Sequence, residues 1–332
     1  MLADRNQDPG EEKLATFRIA CSVSIGFEAI RKRLASVHDV ELIDISQGLE
    51  NTEDQTLCQG LIVYASHYSA SVADWARDQP LKWMHVATAG TDPLDRYPIP
   101  EGIYLSSSGH LWSGTVAEHA LGMLLALSRG LDFSVRMVET DAWSRKKVIP
   151  RLRTVKDLNA LIIGYGRIGS EIGRRLNDLG ASVTGVACSR RIVDGVKVHE
   201  IAELDSLIPA ADVIFLSVPL RSSTHHLISR PQFARMNQDL ILINISRGGV
   251  LDETMLLETL KEDRISCAGL DVFENEPLPK HHPFRSLSNV LLTPHVAGFG
   301  ERGIEEKVAE NIKDNLLDIL SGKPPRDGFQ VG

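Results

Sequence analysis

The sequence predicts an α/β protein of two parallel-sheet domains, the larger of them doubly wound. Apolar runs of strand length alternate with helical patterns from Thr16 almost to the C-terminus. One such run, residues 159–163, meets the glycine element Gly164-Tyr165-Gly166-Arg167-Ile168-Gly169 and passes at once into a helical pattern. The 332 residues suffice for two domains of ordinary size.

In the first part, residues 16–23, 40–45, 61–65, 83–87 and 104–107 read as strands, with a helix over 27–35. A parallel pattern of this size predicts a small flavodoxin-like domain. After the fourth strand comes Ala87-Thr88-Ala89-Gly90-Thr91-Asp92. Small residues at the carboxyl end of a strand can turn N–H groups toward an anion such as a carboxylate, although a plain turn would also account for them. Residues 107–114 form a loop, and 115–129 a helix apolar along nearly its whole middle. Such a helix is expected to be buried on most sides, between two domains or two subunits. Glu118 and His119 within it read as hydrogen-bonded structural groups. Lys146, Lys147, Arg151, Arg153 and Lys156 mark a solvated surface run.

The glycine element has the strand–turn–helix–strand setting that dinucleotide binding requires. Gly164 allows a tight turn, Gly166 lets backbone approach a pyrophosphate, and Gly169 lets helix and strand pack closely. The pyrophosphate would sit on the N–H groups that open the helix over 167–179. Ile168, Ile172, Leu176 and Leu179 form that helix's apolar face, and Gly180 caps its end. The second strand, 182–187, ends in Cys188-Ser189-Arg190-Arg191. An NAD site usually carries a carboxylate there for the ribose hydroxyls; here a hydroxyl and two guanidiniums follow instead. Ser189, Arg190 and Arg191 are therefore expected around a 2′-phosphate, so NADP is preferred and NAD remains possible.

Beyond it, 201–208 reads as a short helix, and 212–220 as a strand stopped by Pro219. A helix opens after Ser229, 240–246 is a strand, and Asp252 N-caps the helix 253–261. Strands at 265–272 and 290–295 complete about six parallel strands, a whole Rossmann dinucleotide-binding domain. An amphipathic helix over 301–320 is expected to return to the first domain. The first domain is thus expected to be discontinuous, 1–112 with 299–332, around a dinucleotide-binding domain of 113–298, with a cleft between.

Ligands of open α/β sheets bind beyond the carboxyl ends of the strands. Arg247, Glu276 and His295 fall there. Arg247 can fork onto a carboxylate and polarise a carbonyl. His295 can exchange a proton with a developing alkoxide, and Glu276 can hold the imidazole. Each alone has a plain alternative: a helix-end salt bridge, a loop carboxylate, a packed strand end. Together they match hydride transfer between a nicotinamide and a 2-keto acid.

From about Ala87 to Leu320 the chain resembles the D-isomer-specific 2-hydroxyacid dehydrogenases. The resemblance is carried by Ala89-Gly90-Thr91-Asp92, Val116-Ala117-Glu118-His119, the glycine element, and Val218-Pro219-Leu220 with Thr224. More specific still are Asn244-Ile245-Ser246-Arg247-Gly248-Gly249 with Asp252, the stretch from Gly269 to Pro277, and Thr293-Pro294-His295 with Gly298. The resemblance implies that Arg247 binds and polarises the substrate, that His295 is the acid/base, and that Glu276 pairs with it. It implies that backbone at Ala89 and Gly90 takes the substrate carboxylate. It also implies that Asp271 contacts the nicotinamide amide, with Thr115, Val218, Pro219, Thr224, Ile245 and Gly298 along the cofactor, and that the enzyme is a homodimer packed partly through the helix after Thr115. NADP-using relatives point to glyoxylate- or hydroxypyruvate-like substrates. Phosphoglycerate, formate or phosphite dehydrogenase activity, and a nicotinamide-sensing protein like the corepressors of this fold, are the rival expectations. Three departures stand out: the ribose acid is absent, residues 154–160 lack the family's usual Gly-Lys-Thr lead-in, and the first 60 residues match nothing of the family. His110 and Trp112 are expected to line the side-chain pocket.

Composition narrows the class. With 43% hydrophobic and 24% charged residues the chain is of globular type, and a net charge of −8 provides no basic field for nucleic acid. No apolar run reaches membrane-spanning length. The polar, acidic residues 1–12 read as a frayed tail, neither signal nor transit peptide. Cys21, Cys58, Cys188 and Cys267 lack any metal-type spacing, so no metal is expected and a reduced cytoplasmic setting fits.

Overall fold

The computed structural model describes residues 16–331 apart from 25, 50–56, 89, 91 and 140–142. The N-terminal tail, Ala89 and Thr91 therefore lie outside the described residues. The chain forms two compact units: Met1–Thr88, Arg96–Ser108 and Gly303–Gly332 make the first, Ala89–Asp95 and Gly109–Arg302 the second.

The first unit is a six-stranded sheet. It contains β1 (Phe17–Cys21), β2 (Val40–Asp44), β3 (Gly60–Val63), β4 (Trp83–Val86), β5 (Tyr104–Ser107) and β14 (Gly328–Gln330), in the order β14-β5-β4-β3-β1-β2. The order 2-1-3-4-5 is the flavodoxin-like winding. The reading of five strands missed β14, which runs antiparallel to β5. Three residues with no alternation leave no signal to read, and Gly328 permits the approach: a Cβ there would lie 2.2 Å from the Leu105 carbonyl oxygen. Helices α1 (Phe27–Leu34), α2 (Ala70–Arg77) and α7 (Ile304–Leu320) cover the sheet. The buried Val308, Ile312 and Leu316 hold α7 in place, and α7 packs on α1.

A directed hydrogen-bond chain runs through this unit. The Trp83 indole N–H donates to Ser106 Oγ at 2.8 Å, and Ser106 Oγ is 2.8 Å from His85 Nδ1. His85 Nε2 is 2.8 Å from Ser108 Oγ, whose hydroxyl donates to Asn311 Oδ1 at 2.9 Å. The Asn311 amide then donates to Asp327 at 2.8 Å. Because Ser108 spends its proton on Asn311, the Nε2–H tautomer of His85 satisfies every member.

The second unit is an eight-stranded sheet. Its strands are β6 (Asn159–Ile163), β7 (Ser182–Ala187), β8 (Arg191–Val193), β9 (Val196–Glu200), β10 (Val213–Leu216), β11 (Ile241–Asn244), β12 (Cys267–Leu270) and β13 (Val290–Leu292). The order is β13-β12-β11-β10-β6-β7-β9-β8, parallel except for β8. From β9 to β13 this is the doubly wound order of a dinucleotide-binding domain. Successive β6 residues face opposite cores: Ala160 and Ile162 meet α3 (Ser113–Ser128) and α5 (Arg167–Asp178), while Leu161 and Ile163 meet the side carrying α6 (Glu253–Lys261). A short helix α4 (Leu131–Glu139) follows α3.

Several readings need correction. Arg191 starts β8, a strand the sequence reading lacked, which pairs with β9 through the two-residue turn Asp194-Gly195, both at positive φ. That is the Asp-Gly hairpin signal, overlooked in a polar stretch. Residues 201–210 form three consecutive short turns, of which only Leu204–Leu207 is α-helical. The strand before Pro219 already ends at Leu216. Leu179 is 43% exposed, because it sits in the last turn, where Gly180 at φ 85° reverses the chain in a Schellman cap. Helix α3, by contrast, is buried or half-buried on most sides as expected, with Glu118, its side chain 82% exposed, and Gly122 on the exposed stripe.

Candidate active site

The Asn244-to-Gly249 segment shows why its residue types are needed. Asn244 is fully buried at the end of β11; its Oδ1 accepts from the Ser246 N–H and hydroxyl, and its amide donates to the Arg247 carbonyl. Arg247 is thereby set at the strand end. A Cβ on Gly248 would lie 1.9 Å from the Phe273 carbonyl carbon, so glycine alone lets the loop after β12 pass this close. That loop carries Glu276.

Glu276 reaches two groups. Its Oε1 accepts the Phe273 N–H at 2.9 Å, and its Oε2 lies 2.7 Å from His295 Nδ1. Burial works to raise the Glu276 carboxyl, but the bonds from His295 and Phe273, with the His295 and Arg247 charges, outweigh it and hold it below the usual range. The same bond raises the His295 imidazole; burial and Arg247 oppose the rise, and the Glu276 and Asp271 charges add to it. With Nδ1 turned to the carboxylate, Nε2 is the nitrogen presented outward from a side chain 47% exposed.

His295 adopts φ 54°, a left-handed conformation that costs a non-glycine residue about 1 kcal/mol or more. Asp271, 1% exposed, holds the turn in that shape. Its carbonyl accepts the His295 N–H at 2.8 Å, its Oδ1 accepts the Thr293 hydroxyl and the Val296 N–H, and its Oδ2 accepts the Ala297 N–H. His119 approaches Thr293 Oγ1 at 3.1 Å and Asp271 at 3.5 Å, which makes it a support for this turn, while Glu118 pairs with Arg175 at 3.7 Å.

Arg247 is half-buried, with Nε donating to Asp92 Oδ2 at 2.8 Å and Nη1 to the Ser246 carbonyl at 2.6 Å. A Cβ on Gly90 would fall 1.6 Å from Nη2, so the expected substrate-carboxylate turn abuts the guanidinium. Sequence reasoning missed Asp92 as its partner: 155 residues separate the two, and no local pattern links them. It missed equally the clamp role of Asp271.

At the other side of the sheet the glycine element fits a dinucleotide. A Cβ on Gly164 would lie 2.4 Å from the Ser217 carbonyl oxygen and one on Gly169 2.1 Å from the Gly164 carbonyl oxygen, whereas Gly166 faces open space. Arg167 and Ile168 open α5, whose first turn carries no acid. Tyr165 is buried beneath, in the space left by Gly173 and Gly185. Arg191 donates to the Tyr165 carbonyl at 2.8 Å and to Ser189 Oγ at 3.3 Å, tying the end of β7 to the glycine turn. Arg190 instead pairs with Glu203 at 2.9 Å. Bonds from the Glu200 N–H, His199 and Arg190 hold Glu203 down to about 2.

Thr224 closes the loop after β10, its hydroxyl donating to the Pro219 carbonyl and accepting the Arg221 N–H. Val218 is half-buried, and Ile245 is buried. The Thr115 hydroxyl donates to Glu301 at 3.2 Å, and Gly298 lies against the Trp112 ring. The structure thus brings Arg247, Glu276 and His295 together after β11, β12 and β13, with the glycine element and Ser189–Arg191 after β6 and β7. A dinucleotide would cross from one group to the other over the strand ends. Among the described residues no cluster suits a metal ion, and no helix is long and apolar enough to cross a membrane.

This fold and site define an NAD(P)-dependent oxidoreductase. Residues 121–297 match the model of the D-isomer specific 2-hydroxyacid dehydrogenase NAD-binding domain. The chain is 32% identical over 282 residues to a glyoxylate reductase of Thermofilum pendens, covering 82% of this chain and 80% of that one. It is 34% identical over 249 residues to a D-3-phosphoglycerate dehydrogenase of Methanocaldococcus jannaschii, covering 73% of this chain but only 47% of that longer one. The crystal structure of a D-isomer specific 2-hydroxyacid dehydrogenase from Xanthobacter autotrophicus Py2, in complex with NADPH and MES, shares the fold with a TM-score of 0.83 at 23% identity, covering 95% of this chain and 98% of that one. The chain belongs to the D-isomer-specific 2-hydroxyacid dehydrogenase family, whose members interconvert 2-hydroxy and 2-keto acids by hydride transfer.

Proposed function

We propose that this chain is an NADPH-preferring reductase of small 2-keto acids of the glyoxylate or hydroxypyruvate kind, working as a cytoplasmic homodimer. The observation that carries the reading is the Glu276–His295 pair set beside Arg247. NADPH, when bound, supplies the hydride. Gly164, Gly166, Arg167, Ile168 and Gly169 would hold the pyrophosphate, and Ser189, Arg190 and Arg191 the 2′-phosphate. Val218, Pro219, Thr224, Ile245 and Asp271 would flank the nicotinamide half, with Thr115 and Gly298 beside it. Backbone at Ala89 and Gly90, together with Arg247, binds the substrate carboxylate, and Arg247 polarises the carbonyl. His295, protonated, gives its Nε2 proton to the carbonyl oxygen as negative charge grows there. In oxidation the neutral imidazole takes that proton back.

The cofactor preference is supported by Arg191 standing between Ser189 and the glycine turn, and by the NADPH bound to the Xanthobacter relative. The substrate class is supported by the Thermofilum relative. Dimerisation is supported by the exposed Leu131, Val135, Val138, Trp143 and Ile149, a dense run of apolar surface on and after α4. The described cysteines are all free thiols, as suits a reducing compartment.

The test follows reduced-nicotinamide absorbance with glyoxylate, hydroxypyruvate and 3-phosphohydroxypyruvate, NADPH and NADH side by side. Faster turnover with NADPH and a small keto acid supports the reading. Preference for NADH discards the phosphate pocket, and preference for the phosphorylated acid replaces the substrate class. Arg191→Ala should raise the KM for NADPH about tenfold while leaving that for NADH nearly unchanged.

A further inference from the structure

We infer that Asp92 is a positioning residue for the reaction, fixing the guanidinium of Arg247 in the orientation that presents Nη2 at the Gly90 turn. The inference rests on the reading of Arg247 as the group that binds the substrate.

Both Asp92 oxygens are committed. Oδ1 accepts the Leu220 N–H at 2.7 Å, which ties the carboxylate to the loop after β10, and Oδ2 accepts the Arg247 Nε–H at 2.8 Å. The Asp92 side chain is only 11% exposed, so solvent screens the pair little. The Ser246 carbonyl takes Nη1. Two of the three guanidinium nitrogens are thus held by protein oxygens, and the third points at Gly90. A planar guanidinium held at two nitrogens has lost its freedom to rotate, so its fork is aimed before the substrate arrives.

The charge of Asp92 has a second consequence. Glu276 stands within electrostatic reach of Arg247. A guanidinium without its own carboxylate would compete with His295 for Glu276. Asp92 satisfies Arg247 at the Nε edge and leaves Glu276 to the imidazole. It also offsets the Arg247 charge, which bears on His295 along with the charges of Glu276 and Asp271.

The test uses purified full-length enzyme, glyoxylate and NADPH. Asp92→Asn keeps the size but removes the charge, and its one carbonyl oxygen can serve Leu220 or Arg247, not both. We expect kcat/KM for glyoxylate to fall about 10- to 100-fold, chiefly through KM, with the dissociation constant for NADPH within about twofold. Arg247 is then less compensated, so the high-pH limb of kcat/KM moves to lower pH. In an Arg247→Lys background, where no Nε fork exists to orient, Asp92→Asn should add little further loss. Asp92→Glu, which keeps the carboxylate, should return the limb toward its original position. Unchanged KM and limb in D92N, full additivity with R247K, or a D92E limb displaced as far as that of D92N would each overturn the inference. Should Arg247→Ala leave turnover intact, the underlying reading of Arg247 fails instead.

Discussion

Two histidines of this protein, one in each compact unit, have opposite designs. His85 is fully buried, and hydroxyls of Ser106 and Ser108 occupy both ring nitrogens in a chain that ends on Asp327. His295 is half-exposed, with one nitrogen on a carboxylate and a backbone held at positive φ. Saturating an imidazole on both sides makes it a rivet: both ring nitrogens are spent on holding the fold. Pairing it on one side with Glu276 suits it to the proposed proton transfer, because the second nitrogen faces outward and the charged form is favoured. The residue type is the same; the partners decide the role.

The comparison can be broken most sharply at His295. His295→Ala should cost about 10²- to 10⁴-fold in kcat, while the affinity for NADPH and the melting temperature stay close to those of the parent. Unchanged kcat, followed by reduced-nicotinamide absorbance, would remove His295 from the chemistry. Next in size is Glu276→Gln, expected to lower kcat about 10- to 100-fold. Its pH signature has a definite sign. In the proposed mechanism keto-acid reduction uses protonated His295, so activity falls as pH rises through the raised imidazole value; losing the carboxylate lowers that value and moves the fall to lower pH. A pH profile of kcat/KM whose limb stays in place would show that Glu276 only packs there. The smallest effect on turnover belongs to His85→Leu, which takes one hydrogen-bond partner from each of the Ser106 and Ser108 hydroxyls inside the first unit. Urea unfolding should show a loss of about 1–3 kcal/mol, with kcat nearly unchanged in the protein that remains folded. A catalytic defect larger than that of E276Q would end the distinction between rivet and carrier.

Much of this is legible in the amino-acid sequence. Asn159 to Gly169 spells strand, turn and helix, because the buried strand must be apolar and the turn must be glycine where a Cβ would strike the Ser217 or Gly164 backbone. Arg247, Glu276 and His295 stand out because strand ends punctuate the sequence. What escapes a sequence reading has physical reasons too. Strands β8 and β14, three residues each, are too short to alternate, and Leu179 follows its helical period into a turn already fraying into a Schellman cap. Arg190 is expected on a phosphate, and its ion pair with Glu203 needs β9 to bring that carboxylate alongside.

The sequence by itself determined the winding of both sheets, the glycine turn, the family and the residues proposed to react. Hydrophobic period, glycine placement and strand-end chemistry are local properties of a chain. Only the tertiary structure decided who serves whom: Asp92 for Arg247, Asp271 for the turn of His295, two serines for His85. Each of these pairings joins residues distant in the sequence, and a hydrogen bond of 2.6–2.8 Å is settled by packing, which no local pattern encodes.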